Sequence, residues 1–266
     1  MLASWLLAGS LLSGPGQAPP PADSTDTPHR TLEVGLRYES DYTYFGRSQA
    51  GALPFAATTL TYTTKDGLYA SAELYSLLGT KAALDETDLT LGWDHNLGKT
   101  LDVSLSYSRY FFPSGSELVK SSVNNSFDAA LGQDWKVLYT QLSATYLFGK
   151  GIGRGDAFLV LENSRSFEIP HVLGARNFLT FEPLLSLAAG TQSFAEASLT
   201  RRSGRKSSLV RRFGLVDYEV SVPLTYTVGK VALAAGWRYV RPVNLPADDV
   251  DSRALSVWTA GVTLSL

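Results

Sequence analysis

From Leu32 onward, apolar residues recur at every second position over long stretches of the chain. Leu32, Val34, Leu36 and Tyr38 alternate with polar neighbours, and the longest alternating segment spans 216–228. A period of two is that of a β-strand with one apolar face. Strands of soluble proteins average about five or six residues, whereas strands that cross a membrane need about 9–11. The pattern therefore predicts an all-β fold: a transmembrane, antiparallel, up-and-down β-barrel.

The same period predicts about twelve strands, an even number that places both chain ends on the periplasmic side. The predicted strands are 32–45, 54–64, 67–78, 85–95, 99–112, 136–148, 156–166, 177–189, 192–200, 213–228, 231–240 and 254–266. The segment 126–132 also alternates, and we interpret it as an extracellular extension of a neighbouring hairpin.

The connections between these strands alternate in length, which is typical of barrels with short periplasmic turns and long outer loops. The predicted short turns are 65–67, 95–99, 149–155, 190–192 and 229–230. The predicted long loops are 46–53, 79–87, 113–136, 166–177, 201–212 and 241–253. A two-residue turn at 229–230 would pair Val222 with Trp237 and Ser221 with Arg238, so that like faces meet.

Residues 1–22 have the character of a signal peptide, because a short apolar stretch from Leu2 to Leu12 is followed by Gly and Pro. No Lys or Arg precedes that stretch. Residues 23–31 are predicted to be a disordered lead-in, and residues 32–266 the barrel.

Composition agrees with export and argues against a nucleic-acid partner. The 266 residues carry a formal net charge of -2 with a pI near 5.9, and they include no cysteine. Mean hydropathy is -0.01, as expected where apolar and polar faces average out.

With the apolar faces on lipid, the opposite faces line the lumen, where acids outnumber bases. The candidate lumen residues are Glu33, Arg37, Glu73, Asp102, Glu182, Glu196, Asp217, Glu219 and Arg238. Eight strands leave an interior filled by side chains and sixteen leave a channel, so twelve lies between these cases. An open, acid-lined pore and a lumen plugged by paired side chains both remain possible at this point. Glu219 and Arg238 lie diagonally across the last hairpin, within pairing distance.

Two loops carry concentrated charge. The predicted extracellular basic loop contains Arg201, Arg202, Arg205, Lys206, Arg211 and Arg212. It would face lipopolysaccharide phosphates or be a solvated loop. Asp248, Asp249 and Asp251 offer oxygen ligands, but clustered surface acids usually hold nothing, so no metal site and no cofactor are predicted.

The histidines do not suggest catalysis. His29 falls in the lead-in, His95 in a turn and His171 in a predicted outer loop, and no nucleophile motif accompanies them. The 149–155 run lacks the Lys of a phosphate loop, so it predicts a turn. The protein is therefore predicted not to be an enzyme.

The segment S-D-Y-T-Y-F-G-R-S-Q (residues 40–49) resembles the first-strand signature of an outer-membrane barrel family of Bacteroidetes type, approximately S-D-Y-x-x-R-G-x-S-Q. Here Gly46 precedes Arg47, the reverse of the family order. The C-terminal half, with V-P-L-T-Y at 222–226 and Y-V-R-P-V-N at 239–244, is also similar to such barrels. The resemblance implies a porin-like barrel in the bacterial outer membrane and no particular activity.

The leading functional hypothesis is a small channel for ions or solutes. The alternatives are a non-conducting barrel whose outer loops bind partners and, third, a lipid-modifying enzyme. Expected partners are outer-membrane lipid, lipopolysaccharide, small solutes or ions, and the barrel assembly machinery during insertion.

Overall fold

The computed structural model describes residues 30–48, 53–114, 123–149, 155–174, 177–191, 213–244 and 253–266. The predicted signal peptide, most of the lead-in and the predicted strand 192–200 lie outside these ranges. In the part of the chain that is described, no helix is long and apolar enough to cross a membrane.

Alternating residues form a set of long antiparallel strands, as their period of two requires. The strands are β1 (Thr31–Glu39), β2 (Thr43–Tyr44), β3 (Arg47–Ser48), β4 (Phe55–Thr63), β5 (Leu68–Leu77), β6 (Glu86–Asn96), β7 (Leu101–Phe111), β8 (Asn125–Asp134), β9 (Tyr139–Phe148), β10 (Asp156–Ser164), β11 (Phe167–Pro170), β12 (Asn177–Phe181), β13 (Leu184–Gly190), β14 (Gly214–Val228), β15 (Val231–Pro242) and β16 (Leu255–Ser265).

The sheet closes on itself to form a barrel. The pairing runs from β14 through β13, β10, β9, β8, β7, β6, β5, β4, β1, β16 and β15 back to β14. Strand β11 continues β10, and β12 leads into β13. We count β10 with β11 as one bent wall strand and β12 with β13 as another, so the wall has twelve strands. The predicted fold class is therefore confirmed.

The register predicted for the last hairpin is also confirmed. Val222 pairs with Trp237, and Ser221 pairs with Arg238. Gly229 has a φ of 59°, which is the positive value that the first central position of a type II′ turn requires.

Predicted strand boundaries fail between residues 112 and 213. Segment 126–132 was predicted to be an extension of a hairpin, but it belongs to the full wall strand β8. The number of wall strands remains twelve because β8 takes the place of the predicted strand 192–200 in the count. As a result, the predicted strands 136–148, 156–166 and 177–189 run in the direction opposite to the one predicted.

The source of this error is the turn between β8 and β9. Lys136 adopts a positive φ of 69° there, a value usually associated with Gly or Asn. The Asp134 carboxylate accepts a 2.6 Å hydrogen bond from the Lys136 amide, and the Trp135 amide donates to the Leu138 carbonyl at 2.9 Å. An Asp side chain thus stabilises a turn that carries no glycine.

The short connections lie at one end of the barrel, which we call the periplasmic end, and the long ones lie at the outer end. The corrected periplasmic turns are 64–67, 97–100, 135–138 and 229–230, together with the connection between β11 and β12. Connections 149–155 and 191–213 join strands at the outer end, although short turns at 149–155 and 190–192 were predicted to be periplasmic. His171 lies at the periplasmic end, not in an outer loop as predicted.

Candidate functional site: the barrel lumen

The barrel is apolar outside and polar inside. Large apolar side chains of the wall are exposed, among them Leu91 at 65% and Leu36 at 52%. Polar side chains on the opposite face are buried, as for Thr225 at 4% and Ser221 at 0%. This reversal of the usual arrangement is the one that a hydrocarbon solvent favours.

A chain of ion pairs lines the inner wall over strands β5, β1, β15 and β14. Arg37 pairs with Glu73 at 2.7 Å and with Glu39 at 2.9 Å. Arg238 pairs with the other Glu39 oxygen at 2.9 Å and with Glu219 at 3.5 Å. Both arginines are therefore matched by carboxylates, as buried guanidinium groups require, and the predicted Glu219–Arg238 contact is confirmed.

A second set of carboxylates lies in the periplasmic half of the lumen and accepts hydrogen bonds from hydroxyl groups. Their donors are Ser265 for Glu33 at 3.3 Å, Tyr139 for Asp102 at 3.0 Å and Ser164 for Glu182 at 3.1 Å. Asp94 belongs to the same set, with Ser104 donating at 2.5 Å. Within the described ranges, none of these four carboxylates has a salt bridge.

Among the residues that the structure describes, buried acidic side chains outnumber buried basic ones. The buried basic side chains in the described ranges are Arg37, Arg47 and Arg238. The buried acidic side chains there are Glu39, Asp41, Asp85, Glu86, Asp88, Asp128, Asp156, Glu162 and Asp217. Buried carboxylates are costly unless cationic side chains, hydration or mobile cations offset their charge.

The structure thus places Glu33, Arg37, Glu73, Asp102, Glu182, Asp217, Glu219 and Arg238 on the inner face. Glu196 and the six basic residues from Arg201 to Arg212 lie outside the described residues, as do Asp248, Asp249 and Asp251.

The outer half of the lumen contains a feature that the pattern did not predict. The first strand was predicted to run over 32–45, but β1 ends at Glu39 and residues 40–48 turn into the barrel. We call this segment the inward hairpin. Strands β2 and β3 form its own two-stranded sheet, with Thr43 opposite Ser48 and Tyr44 opposite Arg47.

Aromatic side chains anchor the inward hairpin. Phe45 stacks on Phe158 of the wall, with ring centroids 3.8 Å apart and planes 8° apart. Tyr44 is buried in an apolar cluster with Tyr110, Leu147 and Val216, among others. The hairpin therefore packs against β7, β9, β10 and β14, strands on different sides of the lumen.

Tyr42 attaches the hairpin to a further part of the wall. Its ring meets Phe55 and Tyr75 edge-on, at centroid distances of 4.9 and 5.7 Å. Its hydroxyl donates a 2.7 Å hydrogen bond to Glu86. Burial raises the pKa of Tyr42 well above its usual value, so the phenol is protonated and donates.

Sequence reasoning missed Tyr42, Tyr44 and Arg47 as interior residues. Tyr42 and Tyr44 continue the alternation of β1, so the period alone extended the strand to residue 45. The available signal was Gly46, because a glycine next to clustered aromatics marks a tight turn.

No protein-family model matches this chain, and no curated protein sequence matches it. Among solved structures, the chain is similar to a KdgM porin, with a TM-score of 0.53, 12% identity, and coverage of 88% of this chain and 99% of that one. It is also similar to LpxR from Salmonella typhimurium, with a TM-score of 0.50, 8% identity, and coverage of 87% of this chain and 99% of that one. At these identities the likeness is one of fold.

The closed wall, the exposed apolar exterior and the fold likeness define an outer-membrane β-barrel. Its architecture is porin-like, and its location is the bacterial outer membrane.

Proposed function

We propose that the protein is a channel that passes small cations in preference to anions. The observation that carries this proposal is the set of four carboxylates in the periplasmic half of the lumen, for which the hydrogen-bond donors among the described residues are hydroxyl groups. A permeating cation would stabilise these groups, whereas an anion would be repelled. The matched ion pairs of Arg37 and Arg238 remove the positive charge that would otherwise oppose this preference.

The small hydroxyl side chains of the wall support the passage of ions through the lumen. Thr61 and Ser71 are hydrogen-bonded to each other across β4 and β5 at 2.9 Å, and Thr90 and Ser108 across β6 and β7 at 2.8 Å. Short hydroxyl side chains occupy little of the lumen and can replace water around a permeating ion.

The test is the reversal potential of the refolded protein in a planar bilayer under a KCl gradient. We expect cation preference, and we expect Asp94→Asn combined with Asp102→Asn to weaken it. Asp66→Asn is the control, because Asp66 is exposed in a periplasmic turn. A folded protein with anion preference, or a preference that the double variant leaves unchanged, would contradict the proposal.

One observation favours the second candidate, a non-conducting barrel that binds partners through its outer loops. The inward hairpin occupies the outer half of the lumen with packed aromatic side chains. Permanent closure would give a folded barrel without conductance under any condition.

Several narrower points belong with the proposal. The motif at residues 40–49 supports membership of the Bacteroidetes-type barrel family. The basic loop 201–212 supports contact with lipopolysaccharide phosphates. We infer that the protein acts without catalysis, since its fold likeness includes a porin and the two histidines within the described ranges, His95 and His171, lie toward the periplasmic end.

A further inference from the structure

The inward hairpin differs from the wall in how its backbone is held. Every wall strand shares hydrogen-bond ladders with two neighbours, whereas β2 and β3 pair with each other in a separate sheet. At its first residue the Ser40 amide donates a 2.9 Å hydrogen bond to the Trp258 carbonyl of β16. Beyond Ser40, side chains attach the hairpin to the wall through the aromatic contacts of Tyr42, Tyr44 and Phe45 and through a few polar contacts. Residues 41–48, attached in this way, can leave without breaking any ladder of the barrel.

Two polar contacts connect the hairpin to charged side chains of the wall. Arg238 donates a 2.9 Å hydrogen bond to the Thr43 hydroxyl, using the same Nη2 that binds Glu39. Tyr42 donates to Glu86 on β6. These two contacts lie on different sides of the lumen, so they hold the hairpin across the pore.

The tip of the hairpin is strained. Phe45 has a φ of 43° and Gly46 a φ of 77°, the pair of positive values found in a type I′ turn. A bulky residue with positive φ is an outlier, and such residues persist where the surroundings hold them, commonly at clamps and switches. Here the stacking of Phe45 on Phe158 holds the tip, and withdrawal from that contact would release the strain.

Gly46 also makes the seated position possible for a steric reason. A Cβ atom at this position would lie 2.6 Å from the Cβ of Asp217 on β14. Only glycine lets the tip approach the wall this closely. The close approach of the hairpin tip to β14 therefore depends on Gly46, which can be substituted without changing any residue of the barrel wall.

We propose that the inward hairpin, residues 40–48, is the gate of the pore: seated on Phe158 and Asp217 it closes the outer half of the lumen, and withdrawal toward the outer mouth opens it. This inference rests on the proposed channel function. It assigns the opening step to one loop, with Thr43 and Tyr42 as latch residues and Gly46 as the residue that permits closure.

The experiment compares single-channel records of the full-length chain with two variants. In the first, residues 41–47 are replaced by the same number of Gly and Ser residues, which removes the aromatic and polar side-chain contacts of Tyr42, Thr43, Tyr44 and Phe45. In the second, Gly46→Ala introduces the clash with Asp217. Its control is Gly79→Ala, because Gly79 also has a positive φ, of 96°, but its Cβ would meet only Leu53, at 3.9 Å.

We expect the wild type and Gly79→Ala to be mostly closed. The Gly/Ser replacement should be continuously open, and Gly46→Ala should open far more often than its control. Folding of each variant is checked by the resistance of the unheated barrel to detergent denaturation, so a silent record from an unfolded sample is not counted.

The outcomes separate the two proposals. Equal conductance and equal open fractions in the wild type, the replacement and Gly46→Ala would refute the gate and leave the channel intact. A folded Gly/Ser replacement that never conducts would refute the channel itself, and the gate with it.

Discussion

Arg238 on β15 and Glu39 on β1 form a 2.9 Å ion pair although β16 separates their strands in the wall. Glu39 also binds Arg37 through its other oxygen. One carboxylate thus bridges two buried guanidinium groups from different parts of the chain, and it connects the first strand to the last hairpin.

Removing one arginine from these ion pairs should destabilise the folded protein. We expect Arg238→Gln to lower the free energy of unfolding by about 3–5 kcal/mol, because it leaves buried carboxylates without their cationic partner. The control Arg241→Gln changes an exposed arginine of the same strand and should stay within about 0.5 kcal/mol. Urea unfolding in lipid vesicles measures both, and similar losses would mean that the ion-pair chain contributes nothing specific.

The two faces of β6 should respond differently to the same charge. Leu91→Arg places a guanidinium group in lipid at mid-strand and should cost about 2–4 kcal/mol. Thr90→Arg, its neighbour on the inner face, should cost about 1 kcal/mol, mainly for the lost hydrogen bond to Ser108. Refolding yield and unfolding free energy in vesicles decide the matter, and a reversed order would show that the faces are assigned the wrong way round.

Two periplasmic turns carry glycines with positive φ but different surroundings. A Cβ at Gly67, with a φ of 82°, would run into the Asp94 carbonyl, whereas one at Gly98, with a φ of 93°, would meet nothing within 4 Å. We expect Gly98→Ala to cost about 1 kcal/mol for the backbone conformation alone. Gly67→Ala should cost about 2–4 kcal/mol because the steric clash adds to it. Thermal unfolding of the two variants would show equal shifts if the clash were relieved freely.

The corrected direction of the middle strands can be tested by labelling, because the chain contains no cysteine. Val137, exposed in the turn between β8 and β9, lies at the periplasmic end, and Ala82, exposed between β5 and β6, lies at the outer end. A membrane-impermeant maleimide should label Ala82→Cys in intact cells, and Val137→Cys only after the outer membrane is permeabilised. Labelling of Val137→Cys in intact cells would restore the direction that the sequence predicted.

The parts of the fold that the sequence predicted are those in which one physical requirement dominates. Alternation is enforced wherever one face meets lipid, so the length and faces of β7 and β14 were predictable. The register of the last hairpin was predictable because Gly229 permits a two-residue turn and leaves no freedom in pairing.

The prediction was wrong where the residue types are typical of a structure other than the one they adopt. Lys136 takes a positive φ that sequence reasoning assigns to Gly or Asn, since Asp134 supplies the missing stabilisation. Tyr42 and Tyr44 keep the period of β1 although their apolar environment is the inside of the barrel. A period of two shows that a face is apolar, but it does not show whether lipid or another part of the protein covers that face.

The candidate site was predictable in composition but not in arrangement. Inner-face acids follow directly from the alternation, as Asp102 and Glu219 illustrate. Glu39 is shared between two arginines because closure of the wall brings β1 near β15. Glu39 and Arg238 are far apart in the sequence, so the sequence did not predict that they would meet.

The separate sheet of the inward hairpin divides the molecule into two parts of different stiffness. Wall amides are protected by ladders that close around the whole circumference, so their hydrogens exchange with solvent only when the barrel itself opens. Thr43 and Tyr44 belong to the separate two-residue ladder of β2 and β3, so we expect their amide hydrogens to exchange without any opening of the wall. On the proposed gating, the inward hairpin can change its position, or its sequence, while the barrel wall keeps its shape.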